Sequence, residues 1–219
     1  LMFLLRTFGI TWSAWILSAV LKERVPLLYP LHMIVGTFGP AISAKLVLGK
    51  SLKEMLAFIK FTRKRSWPYL LIFVGLYTIS IAFVTRPLPG LNLLNVLVLA
   101  LVTTLLTGGN EEIGWQGFLQ PSLEKILPFP LATVTTGLIW AVWHLPLFFT
   151  AACVLARFWL AALYKVSQSV LYCVLFHGLI NTIGEAIFVG KGTENPLFFL
   201  GYILMAAYSI YPVSYTHLR

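Results

Sequence analysis

The chain has 219 residues, of which 59% are hydrophobic and 11% are charged, and its mean hydropathy is +0.88. This composition excludes a soluble globular domain and is typical of a polytopic membrane protein. A hydrocarbon core about 30 Å thick needs roughly 20 apolar residues per helix, and each spanning segment must satisfy its own backbone hydrogen bonds. The sequence therefore predicts an all-α fold embedded in a lipid bilayer.

In a soluble chain, the net charge of +9 would suggest a nucleic-acid partner. Here the basic residues lie mostly in short stretches between apolar runs, which is the positive-inside pattern of membrane proteins. The densest group lies within 50–65, and we predict that this loop faces the cytoplasm beside anionic lipid head groups. No nucleic-acid partner is expected.

Apolar runs predict seven helices along the chain. They cover 3–21, 29–48, 68–85, 91–107, 129–149, 166–189 and 195–212. The run from Ala151 to Tyr164 is too short to span upright and is expected to be tilted or to enter only half of the membrane. The predicted total is seven or eight transmembrane helices.

Residues 50–62 alternate apolar and charged residues at helical spacing, for example Met55 against Lys53, which predicts an amphipathic helix on the membrane surface. No repeat of 20–50 residues is visible, so 1–212 is predicted to form a single membrane domain. The stretch 213–219 breaks the apolar pattern and is expected to be a non-native tail, and Leu1 is expected to be an internal start.

The most informative feature is a pair of adjacent acids, Glu111 and Glu112, in the middle of this lipid-like chain. Two further polar sites lie inside apolar stretches, at His144 and at His177 with Asn181. Ionisable residues within a membrane are functional by default. These residues are therefore the candidate catalytic set.

The residue types restrict the chemistry. The chain contains no Asp, no HExxH motif and no GxSxG nucleophile turn. A carboxylate and a histidine can deprotonate a water for attack on an amide carbonyl, either directly or through a bound metal ion. His177 and Asn181 share a helix face and could donate hydrogen bonds to the resulting oxyanion. Peptide hydrolysis is a coherent hypothesis.

Glu112 and Gln116 are four residues apart, so Gln116 is predicted to donate a hydrogen bond to this carboxylate while Glu111 points about 100° around the helix. The two acids could thus have different roles. Trp115, Trp140 and Trp143 are predicted to be packing residues and interface anchors.

Three motifs occur in order: Glu-Glu-x-x-Trp-Gln-Gly-Phe from Glu111, Trp-x-x-Trp-His-Leu-Pro-Leu-Phe from Trp140, and Phe-His-x-x-x-Asn from Phe176. Each alone is weak, but the ordered set resembles the CAAX protease and bacteriocin-processing family of intramembrane endopeptidases, also called CPBP or Abi, and its wording resembles the prokaryotic branch. The motifs cover 109–181. The segment 36–44 looks like the weaker upstream Gly-Pro helix of the family.

The resemblance implies that Glu111 is the water-activating base and His144 its partner, with Glu112 completing the first motif. His177 and Asn181 would stabilise the oxyanion. The family usually has Arg where this chain has Gln116, so the ion pair within that motif is expected to be at best a neutral hydrogen bond here.

Two mechanisms stay open. Glu111, His144 and His177 could supply three zinc ligands, although no short ligand spacing supports a metal site, and a glutamate-activated water is slightly favoured. Glu185, eight residues after His177, could line the same cavity or face an exit.

Simple hairpin counting separates Glu111 from His144 by about 20 Å, since about 15 helical residues rise 1.5 Å each. For the motifs to meet, the segment 108–128 must itself enter the membrane. We therefore predict an embedded helix there, broken by Pro128 and Pro130.

The leading prediction is an intramembrane endopeptidase in a prokaryotic cell membrane, acting on a membrane-proximal peptide. Prenylated CAAX tails, bacteriocin leader peptides and other peptides all fit the resemblance, with prenylated substrates less expected for the prokaryotic branch. A catalytically idle scaffold or bacteriocin-immunity protein is the alternative, and a transporter is less favoured because no matched pair of broken helices is visible.

Overall fold

A computed structural model describes residues 1–61, 66–82, 86–87, 90, 92–147, 152–184, 188–189 and 196–216. The predicted all-α fold is confirmed. The α-helices are α1 Met2–Leu21, α2 Tyr29–Thr37, α3 Gly39–Leu48, α4 Leu52–Lys60, α5 Trp67–Ala82, α6 Leu93–Leu105, α7 Glu112–Gly114, α8 Gln120–Leu123, α9 Phe129–Trp143, α10 Ala152–Ser167, α11 Val170–Thr182 and α12 Pro196–Thr216. Short strands Arg86–Pro87 (β1) and Phe188–Val189 (β2) form one antiparallel pair.

Three stretches among the described residues are long and apolar enough to cross a membrane: Met2–Leu21, Pro26–Leu48 and Leu93–Leu123. Shorter apolar helices accompany them at Trp67–Ala82, Phe129–Trp143, Val170–Thr182 and Leu200–Ile210. The chain is therefore an integral membrane protein, and the predicted count of seven or eight spans stays a prediction.

The predicted helix at 29–48 is in fact two helices. α2 ends at Thr37 and α3 begins at Gly39, because Pro40 has no N–H to continue the helical ladder. The carbonyl of Gly36, which Pro40 leaves without its helical donor, accepts a hydrogen bond from the Thr11 hydroxyl of α1 at 2.7 Å. This break bends the chain so that both halves pack against α1.

The predicted helix at 166–189 was also wrong at both ends. Residues 166–167 belong to α10, and the chain then turns at Gln168, whose φ is +52°. Ser169 caps α11 by accepting a hydrogen bond from the Tyr172 N–H. The α-helix ends at Thr182, and β2 begins at Phe188.

The predicted amphipathic helix is confirmed as α4, and its position on the membrane surface stays a prediction. Its residues are largely exposed and only Met55 is buried. Ser51 and Glu54 form a reciprocal capping box at its N-terminus. The hydrogen bonds that Glu54 accepts from the hydroxyl and backbone N–H of Ser51 lower the pKa of this carboxyl below its usual value.

α10 lies at the centre of the fold, where it packs against α9, α11, α12 and α5. Its middle turn is completely buried, and this buried set comprises Arg157, Trp159, Leu160, Ala161, Ala162 and Leu163. The short run that the sequence indicated here is therefore a core helix. Such a position suits a helix too short to span a bilayer upright.

The segment 109–123 is helical and its residues are buried or half-buried, but its geometry is irregular, and its entry into the membrane stays a prediction. A 3-10 turn at Gly109–Glu111 leads into α7, a π-helix at Trp115–Leu119 and α8. Prolines do not break it: α8 ends at Leu123, whereas Pro128 and Pro130 lie at the start of α9. Proline fits the first turn of a helix because the N–H that it lacks has no helical partner there.

We expect Gly114→Ala to destabilise the protein because a Cβ on Gly114 would lie 2.5 Å from the backbone C and O of Pro40. Overpacking of this kind costs about 1–3 kcal/mol. Gly75→Ala is the matched control, since a Cβ there meets no atom within 4 Å. Thermal unfolding in detergent should show a lower midpoint temperature for Gly114→Ala than for wild type and an unchanged midpoint for Gly75→Ala. Equal midpoints would contradict the tight contact between α3 and α7.

Candidate active site

The predicted catalytic residues converge on one cavity. Its volume is about 330 Å³, and its polar lining includes Glu111, His144, His177 and Asn181. The rest of its wall is mainly apolar and aromatic and includes Trp15, Met33, Tyr77, Trp140, Leu147, Cys153, Ala156, Ile180 and Tyr202. Glu112 and Gln116 are fully buried and do not line this cavity.

The turn that carries the first acid is fixed by Asn110. Its side-chain oxygen accepts a hydrogen bond from the Gly108 N–H at 3.2 Å, and its side-chain nitrogen donates to the Thr37 hydroxyl at 3.3 Å. Thr37 in turn donates to the Leu106 carbonyl. Thr37, in the upstream Gly-Pro segment 36–44, thus stabilises the turn that brings Glu111 to the cavity wall.

Glu111 is buried, with 3% of its surface exposed, and accepts a hydrogen bond at Oε2 from the indole N–H of Trp140 at 2.9 Å. A single donor leaves the other carboxylate oxygen able to accept from a further donor. The interface-anchor prediction for Trp140 was wrong, because this residue lies in the protein interior and orients the first acid.

His144 ends α9 and lies among the rings of Trp15, Trp140 and Trp143. Its Nδ1 is 3.0 Å from the Trp140 carbonyl oxygen. Since a carbonyl only accepts, Nδ1 carries the proton, and the lone pair of the neutral ring is on Nε2. The residue therefore has the tautomer that a base acting through Nε2 requires.

The second acid, Glu112, binds two partners from other helices. Oε1 is 2.7 Å from His177 Nδ1, and the guanidinium of Arg157 donates one hydrogen bond of 2.8 Å to each carboxylate oxygen. Glu112 and Arg157 are both completely buried. Glu112 therefore lies behind His177 and sets the orientation of its ring.

His177 and Asn181 lie one turn apart on α11, next to the backbone at Gly108. A Cβ added to Gly108 would lie 2.5 Å from Asn181 Nδ2 and 3.5 Å from His177 Nε2. Both nitrogens thus approach the same point beside the first motif. Because Nδ1 of His177 donates to Glu112, Nε2 is the nitrogen left to act toward the cavity.

The prediction that Gln116 donates to Glu112 was wrong. Both polar atoms of the buried Gln116 side chain lack a hydrogen-bond partner among the described residues. The π-helix that starts at Trp115 changes the register between positions 112 and 116. Glu112 instead forms an ion pair outside this motif, with Arg157.

Arg157 was missed by the sequence reasoning, although a signal existed. It is the only ionisable side chain apart from Cys153 and Tyr164 in the apolar run 151–164, and a charge inside such a run marks a functional or paired residue. Its partner could not be read from the sequence, since 45 residues separate it from Glu112.

The positions of Glu111, His144 and His177 do not match the predicted set of three zinc ligands. Among the described residues, no three His, Cys or Glu side chains gather closely enough to hold a metal ion. Glu111, His144 and His177 line one cavity without forming such a group, so we derive no step through a metal. Glu185 lies outside the described residues.

Comparison with known proteins bears on the same region. Residues 93–183 match the family model described as type II CAAX prenyl endopeptidase Rce1-like. The chain is also 24% identical over 240 residues to CAAX prenyl protease 2 of Methanococcus maripaludis, an alignment that covers 88% of this chain and 86% of that protein. Over this region the chain is similar to the CAAX protease and bacteriocin-processing family.

These matches confirm the predicted resemblance, and the prokaryotic relative agrees with the prokaryotic branch. The matched region runs from the start of α6 to the end of α11 and contains Glu111, His144, His177 and Asn181. The matched family supports an intramembrane endopeptidase as the general function of the chain.

Proposed function

We propose that this protein hydrolyses a membrane-proximal peptide bond with a water activated by Glu111 and His144, and that His177 and Asn181 stabilise the oxyanion. The observation that carries the proposal is the single cavity lined by these four side chains. The four come from the turn before α7, the end of α9 and one face of α11. They supply a base and donors on one buried wall.

Glu111 is the general base. Trp140 occupies one carboxylate oxygen, so the water donates its proton to the other, Oε1. His144 orients the water by accepting its second hydrogen at Nε2, because its own proton is held on Nδ1 by the Trp140 carbonyl. A positioned base of this kind contributes about 10²–10⁴-fold to the rate. The proton then passes to the leaving amine.

The attack leaves a negative oxygen on the scissile carbon. Asn181 Nδ2 and a protonated His177 Nε2 can donate to it from adjacent positions on α11. Each preorganised donor of this kind is worth about 10²–10³ in kcat. Glu112 keeps the His177 ring in the orientation that aims Nε2 away from the carboxylate.

The substrate is an extended peptide segment with apolar residues near the cleaved bond, because the remaining wall of the cavity is apolar and aromatic. The name of the relative, a CAAX prenyl protease, makes a prenylated C-terminal peptide one substrate to test. A bacteriocin leader peptide is another. The loop 50–65 is proposed to face the cytoplasm of a prokaryotic cell.

The test is cleavage of a membrane-peptide library, with and without prenyl groups, by the purified protein in detergent. We expect His144→Ala to lower the cleavage rate by roughly 10²-fold or more, because the water loses its second anchor. His32→Ala is the matched control, since His32 does not line the cavity. A chelator arm tests metal dependence, and loss of all cleavage with the chelator would favour the metal route over the glutamate base.

Identical product profiles for wild type and His144→Ala would contradict the proposed function. The chain would then act as a scaffold or bacteriocin-immunity protein, and immunity retained in the same variant would support that alternative.

A further inference from the structure

Arg157 has no role in the reaction described above, yet it is a fully buried cation in the core of a membrane protein. Burying a charge is costly unless it is paired and hydrogen-bonded. Its two terminal nitrogens each donate at 2.8 Å to a different oxygen of Glu112. A bidentate guanidinium fixes the plane of a carboxylate as well as its charge.

This fixed carboxylate controls His177. Glu112 Oε1 accepts from both Arg157 and His177 Nδ1, so the orientation of the acid determines that of the imidazole. A carboxylate free to rotate would let the ring turn, and Nε2 would leave its place beside Asn181 Nδ2. Arg157 therefore acts on His177, one of the two proposed oxyanion donors, indirectly through Glu112.

The same guanidinium also contacts Trp140, which holds the two residues proposed to activate the water, Glu111 and His144. Its central carbon lies 3.8 Å from the centre of the Trp140 ring, a cation–π contact. Trp140 donates to Glu111 and, through its carbonyl, accepts from His144. The Arg157 side chain thus supports both the water-activating residues and the oxyanion donor His177.

The packing of α9 on α10 makes this contact possible. A Cβ on Gly137 would lie 2.9 Å from the Cα of Val154 and 3.4 Å from Cγ of Arg157. Gly137 therefore lets the two helices approach closely and leaves room for the stem of Arg157 beneath Trp140. The arginine is held by backbone packing as well as by its charge.

We propose that Arg157 is a positioning residue of the peptidase, which aligns His177 through Glu112 and Glu111 through Trp140. The inference rests on the proposed function. It predicts that Arg157 sets kcat with little effect on KM, because Arg157 does not line the cavity.

The experiment compares peptide cleavage by wild type, Arg157→Gln and Arg157→Lys, each checked for a monodisperse, folded state. We expect Arg157→Gln to lower kcat roughly 10²-fold. Arg157→Lys keeps the charge without the bidentate fork, so it should fold with a reduced kcat. Lys165→Gln on the same helix, which breaks the partly exposed pair with Glu124, should stay within about twofold of wild type.

Wild-type kcat in folded Arg157→Gln would overturn the positioning role while leaving the proposed function intact. If that variant does not fold, wild-type kcat in Arg157→Lys overturns it instead. Failure of the proposed function is distinguishable, because wild type and Glu111→Gln would then give the same products.

Discussion

Glu111→Gln is expected to lower the rate of peptide cleavage by about 10²–10⁴-fold, the contribution of a positioned general base. The substitution preserves the size of the side chain, and the amide oxygen can still accept the hydrogen bond from Trp140 Nε1. It removes only the ability to take a proton from water. KM should therefore change little while kcat falls.

The measurement is steady-state cleavage of one peptide identified in the library, followed at several enzyme concentrations. Glu23→Gln is the matched control, because Glu23 is an exposed acid far along the chain from the motifs. We expect this control to retain wild-type kcat. Cleavage by Glu111→Gln at the wild-type rate would show that the proton goes elsewhere and would remove the basis for the proposed mechanism.

Glu112→Gln is expected to destabilise the fold by about 3–5 kcal/mol, the usual cost of removing one partner of a buried ion pair. Glu112 and Arg157 have no exposed side-chain surface, so solvent cannot compensate the guanidinium once the carboxylate is gone. The neutral amide also holds His177 less strongly, because it loses the charge that strengthens the hydrogen bond to Nδ1. Denaturant titration in detergent measures this loss.

The double variant Glu112→Gln/Arg157→Gln separates the charge from the contact. It removes both members of the pair, leaves no buried charge without a partner, and should therefore be more stable than Glu112→Gln alone. Equal stability of the single and the double variant would contradict the account of Arg157 as a buried cation that depends on Glu112.

Local sequence patterns were enough to predict the helices that depend only on residues close to one another in the chain. The apolar runs predicted α1, α5 and α6 closely, because a helix in lipid must satisfy its own backbone. The predicted helix at 129–149 was too long, since α9 ends at Trp143. The alternation of Met55 with charged residues predicted α4 for a similarly local reason. The order of the three motifs also indicated the family before any geometry was known.

The same local reasoning failed where one residue interrupts a run of apolar residues. Pro40 splits the predicted helix at 29–48, and the turn at Gln168 moves the boundary between α10 and α11. Apolar runs do not show such breaks, since hydropathy is unchanged across them. The π-helix after Trp115 had the same effect on Gln116, whose predicted bond to Glu112 assumed a regular helix.

The sequence by itself determined the membrane class, the residue types available for hydrolysis and the candidates Glu111, Glu112, His144, His177 and Asn181. Only the tertiary structure decided that four of them line one cavity while Glu112 lies behind His177. It alone joined Arg157 to Glu112, because a buried charge takes its partner from whichever helix packs beside it. Packing between helices depends on distances through space, and spacing along the chain does not encode them.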